Sequence, residues 1–156
     1  MNIFAAEHLA KELMEKWGVD NWQFVWSRGK RTHGQVVVRN GADVGHLKLS
    51  EYLVMHNDEE RVRDTILHEI AHIKAGIENK HNHVWRHWCR VVGARPDRCP
   101  KSGYKQTAPP NFYLVCGICD RQIAKRYRRM RQDVLARTYC ADCGRRSKGT
   151  LELVPA

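Results

Sequence analysis

The sequence predicts an α+β fold in two parts, a larger domain over residues 1–98 and a small β unit over residues 110–156. Two observations predict this division. Segments with helical apolar periodicity alternate with short β-type segments in the first part, and four of the six cysteines cluster in the second. The polar segment 99–109, which contains two prolines, is the predicted linker. At 156 residues the chain has the length for one ordinary domain and a small appendage.

One helix and a small antiparallel sheet are predicted at the start of the larger domain. Segment 1–18 carries apolar residues at helical spacing and ends at Gly18, which indicates an amphipathic helix. Three short segments then alternate large apolar side chains with other residues. They are "WQFVW" at 22–26, "QVVVR" at 35–39 and "HLKLS" at 46–50. Gly- and Arg-rich turns separate them, so we expect three short strands.

Segment 56–76, "HNDEERVRDTILHEIAHIKAG", has the signals of a complete helix. Asn57 or Asp58 is the candidate N-cap, acidic residues follow in the first turn, and Gly76 is the predicted stop. A further helix is predicted over 82–92, where tryptophans lie on one face and a glycine follows the last turn.

The pentapeptide HEIAH lies on the first of these two helices. Because residues four apart share a helix face, His68 and His72 can direct their imidazoles at one cation. Glu69 lies beside them, where its carboxylate can accept a proton from a zinc-bound water without taking a coordination position. The motif therefore predicts a hydrolytic zinc site with Glu69 as the general base.

A catalytic zinc usually has three protein ligands, so a third is needed. The candidates that follow His72 are Glu78, His81, His83 and His87. His81 stands at the entrance to the next helix, whereas His83 and His87 could form a pair on it. A solvated helix face is the ordinary explanation for that pair. From the residues alone, the third ligand stays open.

The motif "TILHEIAH", followed by His81 four residues before Trp85, resembles the SprT-like metalloprotease family of bacterial proteins and eukaryotic Spartan relatives. The upstream helix, "WQFVW" and "HLKLSEYL" are similar to the layout of that family, and the C-terminal CxxC pairs are similar to the zinc ribbon of many members. The resemblance implies a zincin-like domain with His81 as the third zinc ligand. Asn82 stands where the family commonly has Gly and the loop before His81 is short, so His83 stays the alternative.

The resemblance also implies a function and its partners. It implies a zinc-dependent endopeptidase that acts on DNA-associated or DNA-crosslinked proteins, as in the repair of DNA–protein crosslinks. The partners would be DNA and the proteins bound to it. We further expect one strand edge, over residues 45–50, to hold the substrate backbone as an added strand.

Two CxxC pairs in the second part predict a structural zinc site. Each pair can present two thiolates to one ion, and four thiolates close its coordination shell. The predicted ligands are Cys116, Cys119, Cys140 and Cys143. The segments "NFYLV" and "GTLELV" flank them and predict short strands of a zinc ribbon, which is too small to fold without metal. Two zinc ions per chain are therefore expected, one catalytic and one structural.

The positive charge belongs mostly to the second part of the chain. The net charge is +10; residues 1–99 hold 15 Lys and Arg against 13 Asp and Glu, whereas residues 100–156 hold 12 against 4. A predicted basic hairpin between the CxxC pairs carries cations around an aromatic ring that could stack on an unpaired base. Its predicted nucleic-acid-binding residues are Lys125, Arg126, Tyr127, Arg128, Arg129 and Arg131. We expect binding to DNA, single strands included, without sequence specificity; a solvated charged hairpin is the alternative.

Composition and cysteine usage limit the class of protein. The chain is 28% charged with a mean hydropathy of −0.61, and its N-terminus has no basic leader with a long apolar run. We therefore expect a cytoplasmic protein, associated with the nucleoid or in a host-cell cytoplasm, neither secreted nor in a membrane. Clustered thiols in such a compartment usually bind metal, and the isolated Cys89 and Cys99 are predicted to be free thiols.

The preferred interpretation is a zinc metallopeptidase of the HExxH type that works on DNA. Two alternatives stay open: a non-catalytic, zinc-stabilised nucleic-acid-binding or adaptor protein, and a zinc hydrolase whose substrate is not protein. Glu69 argues against the first alternative, because a purely structural metal site has no use for a carboxylate beside its water.

Overall fold

The computed structural model describes three stretches of the chain, residues 1–38, 44–98 and 108–156. Within them the chain divides into two compact units, Met1–Ala108 and Pro109–Ala156. Each unit has its own sheet and its own buried core. The predicted linker at 99–109 lies almost entirely outside the described residues.

Four α-helices, one 3-10 helix and three strands make up the described part of the first unit. In chain order they are α1 (Ile3–Lys16), β1 (Gln23–Ser27), β2 (Gly34–Val38), β3 (Gly45–Ser50), α2 (Glu51–His56), α3 (Glu59–Ala75), the 3-10 helix Ile77–Asn79 and α4 (His83–Val92). All of these except the 3-10 helix and α2 are predicted by the sequence. The six residues of α2 are too few for a helical period to show.

Local capping explains where the predicted helices begin and end. Asp58, not Asn57, is the N-cap of α3, and its side chain accepts a hydrogen bond from the backbone N–H of Arg61. Gly76 ends α3 with a φ of 84°, a conformation that favours glycine. Among the residues that the structure describes, no helix has the length and apolar character to cross a membrane.

The sheet of the first unit is mixed, so the predicted antiparallel sheet is wrong in one of its two pairings. β3 lies in the centre, antiparallel to β2 and parallel to β1. The central position follows from its composition, because Leu47 and Leu49 of β3 are fully buried while the residues of β1 and β2 are only partly buried or exposed. With β2 paired on one side of β3, β1 occupies the other side.

The central place of β3 overturns its predicted role as a substrate-binding edge. The backbone of Gly45–Ser50 is hydrogen-bonded to a strand on each side, so it has no free row of donors and acceptors for an added strand. Within the described residues the edges of this sheet are β1 and β2.

The core of the first unit holds α3 in a fixed position. Leu13 of α1, Ile66 and Ile70 of α3, and Leu47 of β3 are at most 1% exposed and belong to one apolar cluster. Burial of each such side chain contributes about 1.5–3 kcal/mol. The apolar core therefore anchors the helix that carries HEIAH along its buried face.

The second unit is a small antiparallel β structure. Its elements are β4 (Phe112–Cys116), β5 (Gln122–Arg126), α5 (Gln132–Arg137), the 3-10 helix Gly144–Ser147 and β6 (Leu151–Pro155). β4 lies between β5 and β6, so the two predicted strands are confirmed as β4 and β6. The predicted basic hairpin differs in one respect: its first part is β5, paired with β4, and its second part contains the short helix α5.

Candidate metal and catalytic site

Three histidines from two segments of the first unit converge on one point. His68 and His72 lie on consecutive turns of α3, and His81 follows the 3-10 helix just before α4. Nε2 of His81 is 3.2 Å from Nε2 of His72 and 3.4 Å from Nε2 of His68. The three side chains form a group whose ligand atoms all lie within 4.8 Å of one another.

The spacing of these nitrogens fits a shared metal ion better than hydrogen bonds among the rings. Nε2 of neutral His81 has either one proton or one lone pair, so it cannot form good hydrogen bonds to both neighbours at once. Around a tetrahedral zinc with Zn–N distances of about 2.0–2.1 Å, neighbouring nitrogens are about 3.3 Å apart. The observed distances of 3.2 and 3.4 Å agree with that value.

A fully buried tryptophan, Trp85, packs against all three histidines. The ring centroid of Trp85, on α4, lies 4.8 Å from that of His68, 5.3 Å from that of His72 and 4.5 Å from that of His81. Burial lowers the pKa of His72 to about 4, with the neighbouring His81 as a second cause. His72 is therefore neutral near pH 7, which is the state that a metal ligand needs.

A tight connection brings His81 back to α3. Gly76 turns the chain out of α3, and the 3-10 helix Ile77–Asn79 covers most of the distance to His81. Asn82 then caps α4, because its side chain accepts hydrogen bonds from the backbone N–H groups of Val84 and Trp85. The asparagine that departs from the family pattern thus starts the helix that carries Trp85.

The other candidate ligands lie away from the three converging nitrogens. His83 and His87 are exposed on α4, and neither belongs to the histidine group described above. Glu78 is also exposed, and its carboxylate lies over the backbone of Gly76. The structure therefore brings His81, rather than His83, to the pair on α3.

Glu69 lies one residue after His68 and is only 6% exposed. Its carboxylate approaches the first residue of β2, Gly34, closely enough to leave no room for a side chain there. A carboxylate this well buried, one residue along α3 from His68, can act on a proton with little competition from bulk water.

A cleft of about 570 Å³ lies in the first unit, between β2 and the C-terminal end of α3. Four consecutive residues of β2, 35–38, line one side, and Ile73 and Gly76 from the end of α3 line the other. Within the described residues β2 is hydrogen-bonded only to β3, so its other edge has no paired strand. An unpaired strand edge of this kind can accept an extended chain as an added strand.

The four clustered cysteines of the second unit also converge. Sγ of Cys116 is 4.0 Å from Sγ of Cys143, and Sγ of Cys119 is 3.9 Å from Sγ of Cys140. These separations are far longer than the S–S bond of a disulfide. They are close to the 3.8 Å or so expected between thiolates around a tetrahedral zinc with Zn–S bonds of about 2.3 Å.

The turn around Cys116 favours a thiolate. The backbone N–H of Ile118 hydrogen-bonds its sulfur and lowers the pKa of the Cys116 thiol to about 7. Gly117 lies so close to the carbonyl of Thr150 that a Cβ on it would come within 2.6 Å of that oxygen. The first CxxC turn is therefore shaped by backbone contacts as well as by its cysteines.

The predicted nucleic-acid-binding residues lie on β5 and in the loop after it. The structure describes every residue of the second unit. Within that unit no carboxylate pairs with Lys125, Arg126, Arg128 or Arg129. Arg131 differs, because it forms an ion pair with Asp133 at 3.0 Å. The guanidinium of Arg129 lies over the ring of Phe112, at 5.4 Å from the centroid.

Cys89, one of the two isolated cysteines, is a free thiol in the core of the first unit. Burial raises the pKa of its thiol to about 12, which makes it an inert apolar side chain. Cys99 lies outside the described residues.

Comparison with known proteins supports the motif-based resemblance. A family model described as the SprT-like family matches residues 5–105, which include the three histidines and Glu69 but not the four-cysteine unit. Comparisons with curated proteins and with solved structures find no match.

Proposed function

Because the chain belongs to the SprT-like family, a family of metallopeptidase type, we propose that it is a zinc-dependent endopeptidase that cleaves proteins associated with DNA. The observation that carries this proposal is the convergence of three imidazole nitrogens, two of them from the helix that also carries the buried Glu69. His68, His72 and His81 would hold the zinc. A three-histidine set leaves the fourth position of a tetrahedral ion open, as catalytic zinc sites require.

The residues of the site divide the chemistry among them. When bound, zinc supplies a Lewis acid that polarises the peptide carbonyl and brings the pKa of a water molecule toward neutrality. Glu69 takes the proton from the attacking water as the water oxygen adds to the carbonyl carbon, and it delivers that proton to the amine nitrogen as the C–N bond breaks. Trp85 closes the rear of the site against solvent.

The cleft beside β2 is the proposed place for the substrate backbone. An extended peptide would add to the unpaired edge of β2, the strand whose residues line this cleft. This assignment replaces the expected edge at 45–50, which is occupied on both sides.

The second unit is the proposed DNA-binding part. Within the second unit, whose residues are all described, four cations on β5 and the loop after it have no carboxylate partner, and each can neutralise one phosphate. Phe112 and Tyr127 lie among these cations and offer rings for stacking on unpaired bases. The four cysteines would hold a structural zinc that keeps this surface in shape.

A cleavage assay tests the proposed activity. The zinc-loaded full chain should cut an unstructured protein substrate, and Glu69→Gln should lower the rate about 10²- to 10⁴-fold while zinc content and fold are kept. Glu59→Gln, which makes the same change at the exposed start of α3, is the matched control and should leave the rate unchanged. Equal rates for Glu69→Gln and wild type would refute the role of Glu69 and favour a metal site that only stabilises.

A further inference from the structure

We propose that Gly34 is a positioning residue for Glu69, because the missing side chain at the start of β2 leaves the space that the Glu69 carboxylate occupies. The inference rests on the proposed function only for the catalytic role of Glu69. The contact between the two residues is a separate structural claim.

The distances show how little space lies between them. A Cβ built on Gly34 would lie 2.7 Å from Oε1 of Glu69, 2.8 Å from its Cγ and 3.0 Å from its Cδ. Ordinary van der Waals contact begins at 3.4 Å, so Oε1 would have to move by about 0.7 Å to admit a methyl group. A side chain at position 34 thus competes directly with the Glu69 carboxylate.

Backbone conformation does not require glycine at this position. Gly34 is not among the described glycines with positive φ, which are Gly18, Gly76, Gly93, Gly144 and Gly149. Alanine could therefore adopt the same backbone angles without strain. The close approach of Glu69 is the reason for glycine here.

Neither backbone can retreat easily from the contact. Gly34 is paired with the fully buried Leu49 in the β2–β3 ladder, and the carbonyl of the preceding residue, His33, accepts a hydrogen bond from Ser50 N–H at 2.8 Å. Glu69 is followed on α3 by Ile70, which is fully buried in the core. Rotation of the Glu69 side chain is therefore the easiest way to relieve the clash, and it would move the carboxylate from the position it has in this structure.

Activity of the Gly34→Ala variant gives the first test. We expect kcat to fall by about 10- to 100-fold, since a displacement near 1 Å can cost about 10²-fold. KM for the peptide and zinc content should change little, because the three atoms nearest to a Cβ on Gly34 all belong to Glu69 and none to a histidine ligand. Gly29→Ala is the matched control: Gly29 also lacks a positive φ, and its Cβ would meet only the Ser27 hydroxyl, at 3.2 Å. Wild-type kcat in Gly34→Ala would overturn the positioning role.

A thermal double-mutant cycle tests the contact without using activity. In the wild-type background Gly34→Ala should lower the unfolding midpoint. In a Glu69→Ala background the same substitution should leave the midpoint unchanged or raise it, because the clashing atoms are gone and alanine restricts the unfolded chain. An equal loss in both backgrounds would overturn the inference. Thermal coupling in a chain that cleaves no protein would support the contact while refuting the proposed function.

Discussion

The two metal-ligand groups of this chain are built in opposite ways. The three histidines of the first unit lie on and beside α3, which a large apolar core fixes in place. In the second unit the buried cluster consists of Leu114, Leu151 and three of the four cysteines themselves. In the first unit an apolar core positions the candidate ligands, whereas in the second unit the candidate ligands make up most of the buried core.

This difference predicts what each metal contributes. A unit with its own core can keep its structure when its metal is removed, and the metal then serves chemistry. We expect a unit of 48 residues with so few buried apolar side chains to depend on a metal for folding. Zinc would thus take part in catalysis at the histidine site and stabilise the fold at the cysteine site.

Loss of the cysteine site should have the largest effect. Structural zinc supplies apparent binding free energies of about 10–16 kcal/mol, so Cys116→Ser should unfold the second unit and leave the first folded. His68→Ala is the counterpart and should leave both units folded. Metal analysis should give about two zinc ions in wild type and one in each variant, with NMR spectra reporting which unit has lost its dispersed signals. A folded second unit in Cys116→Ser would contradict the expectation that this unit, unlike the first, depends on its metal for folding.

Removal of the Trp85 side chain should have the next largest effect. Trp85→Ala leaves a void behind the three histidines, and such truncations cost about 3–5 kcal/mol. The first unit should therefore unfold at lower denaturant concentration and bind zinc more weakly. Trp88→Ala removes a partly buried tryptophan from the same helix and should spare zinc binding. Equal loss of zinc in both variants would mean that Trp85 acts only through stability.

The third ligand provides a sharper test within the first unit. His81→Ala should weaken zinc binding at this site by at least the roughly 10- to 100-fold that loss of an outer-shell partner costs. His83→Ala should leave the affinity unchanged, because His83 is exposed and lies outside the histidine group. Competition with a chromophoric chelator measures both, and the reverse order would move the ligand assignment to His83.

The smallest predicted effect concerns the basic surface of the second unit. Replacement of Lys125 and Arg128 by glutamine should weaken DNA binding and reduce the slope of log K against log salt by about 0.7–0.9 per cation. Arg121 and Arg137 are matched controls, because the same loss of charge there removes cations already paired with Asp142 and Asp133. Equal losses of DNA affinity in the two double variants would mean that binding depends only on the net charge of the unit and not on Lys125 and Arg128.

The predictable parts of the molecule are those that depend on neighbours in sequence. Asp58 and Gly76 mark the ends of α3, and the spacing of His68 and His72 puts them on one face of it. The CxxC spacing likewise predicts the cysteine group. Each of these signals acts within one turn of chain, where capping and helical period determine the outcome.

The parts that could not be predicted depend on contacts across the fold. The centre of the sheet falls on β3 because Leu47 and Leu49 are buried, and no local signal specifies which strand will lie between the others. The contact of Gly34 with Glu69 joins the start of an edge strand to the middle of a helix. In the sequence this glycine looks like an ordinary residue of a Gly- and Arg-rich turn.

Cleavage of one protein, free and bound to DNA, tests most directly the claim that the first unit performs the chemistry and the second brings it to DNA. The comparison uses the full chain as wild type, as Glu69→Gln and as the Lys125→Gln/Arg128→Gln double variant, at low and high salt. We predict that Glu69→Gln loses both activities, whereas the double variant keeps its rate on the free protein and slows only on the DNA-bound one at low salt. A double variant that slows equally on both substrates, or a Glu69→Gln chain that still cleaves, would contradict this division of roles.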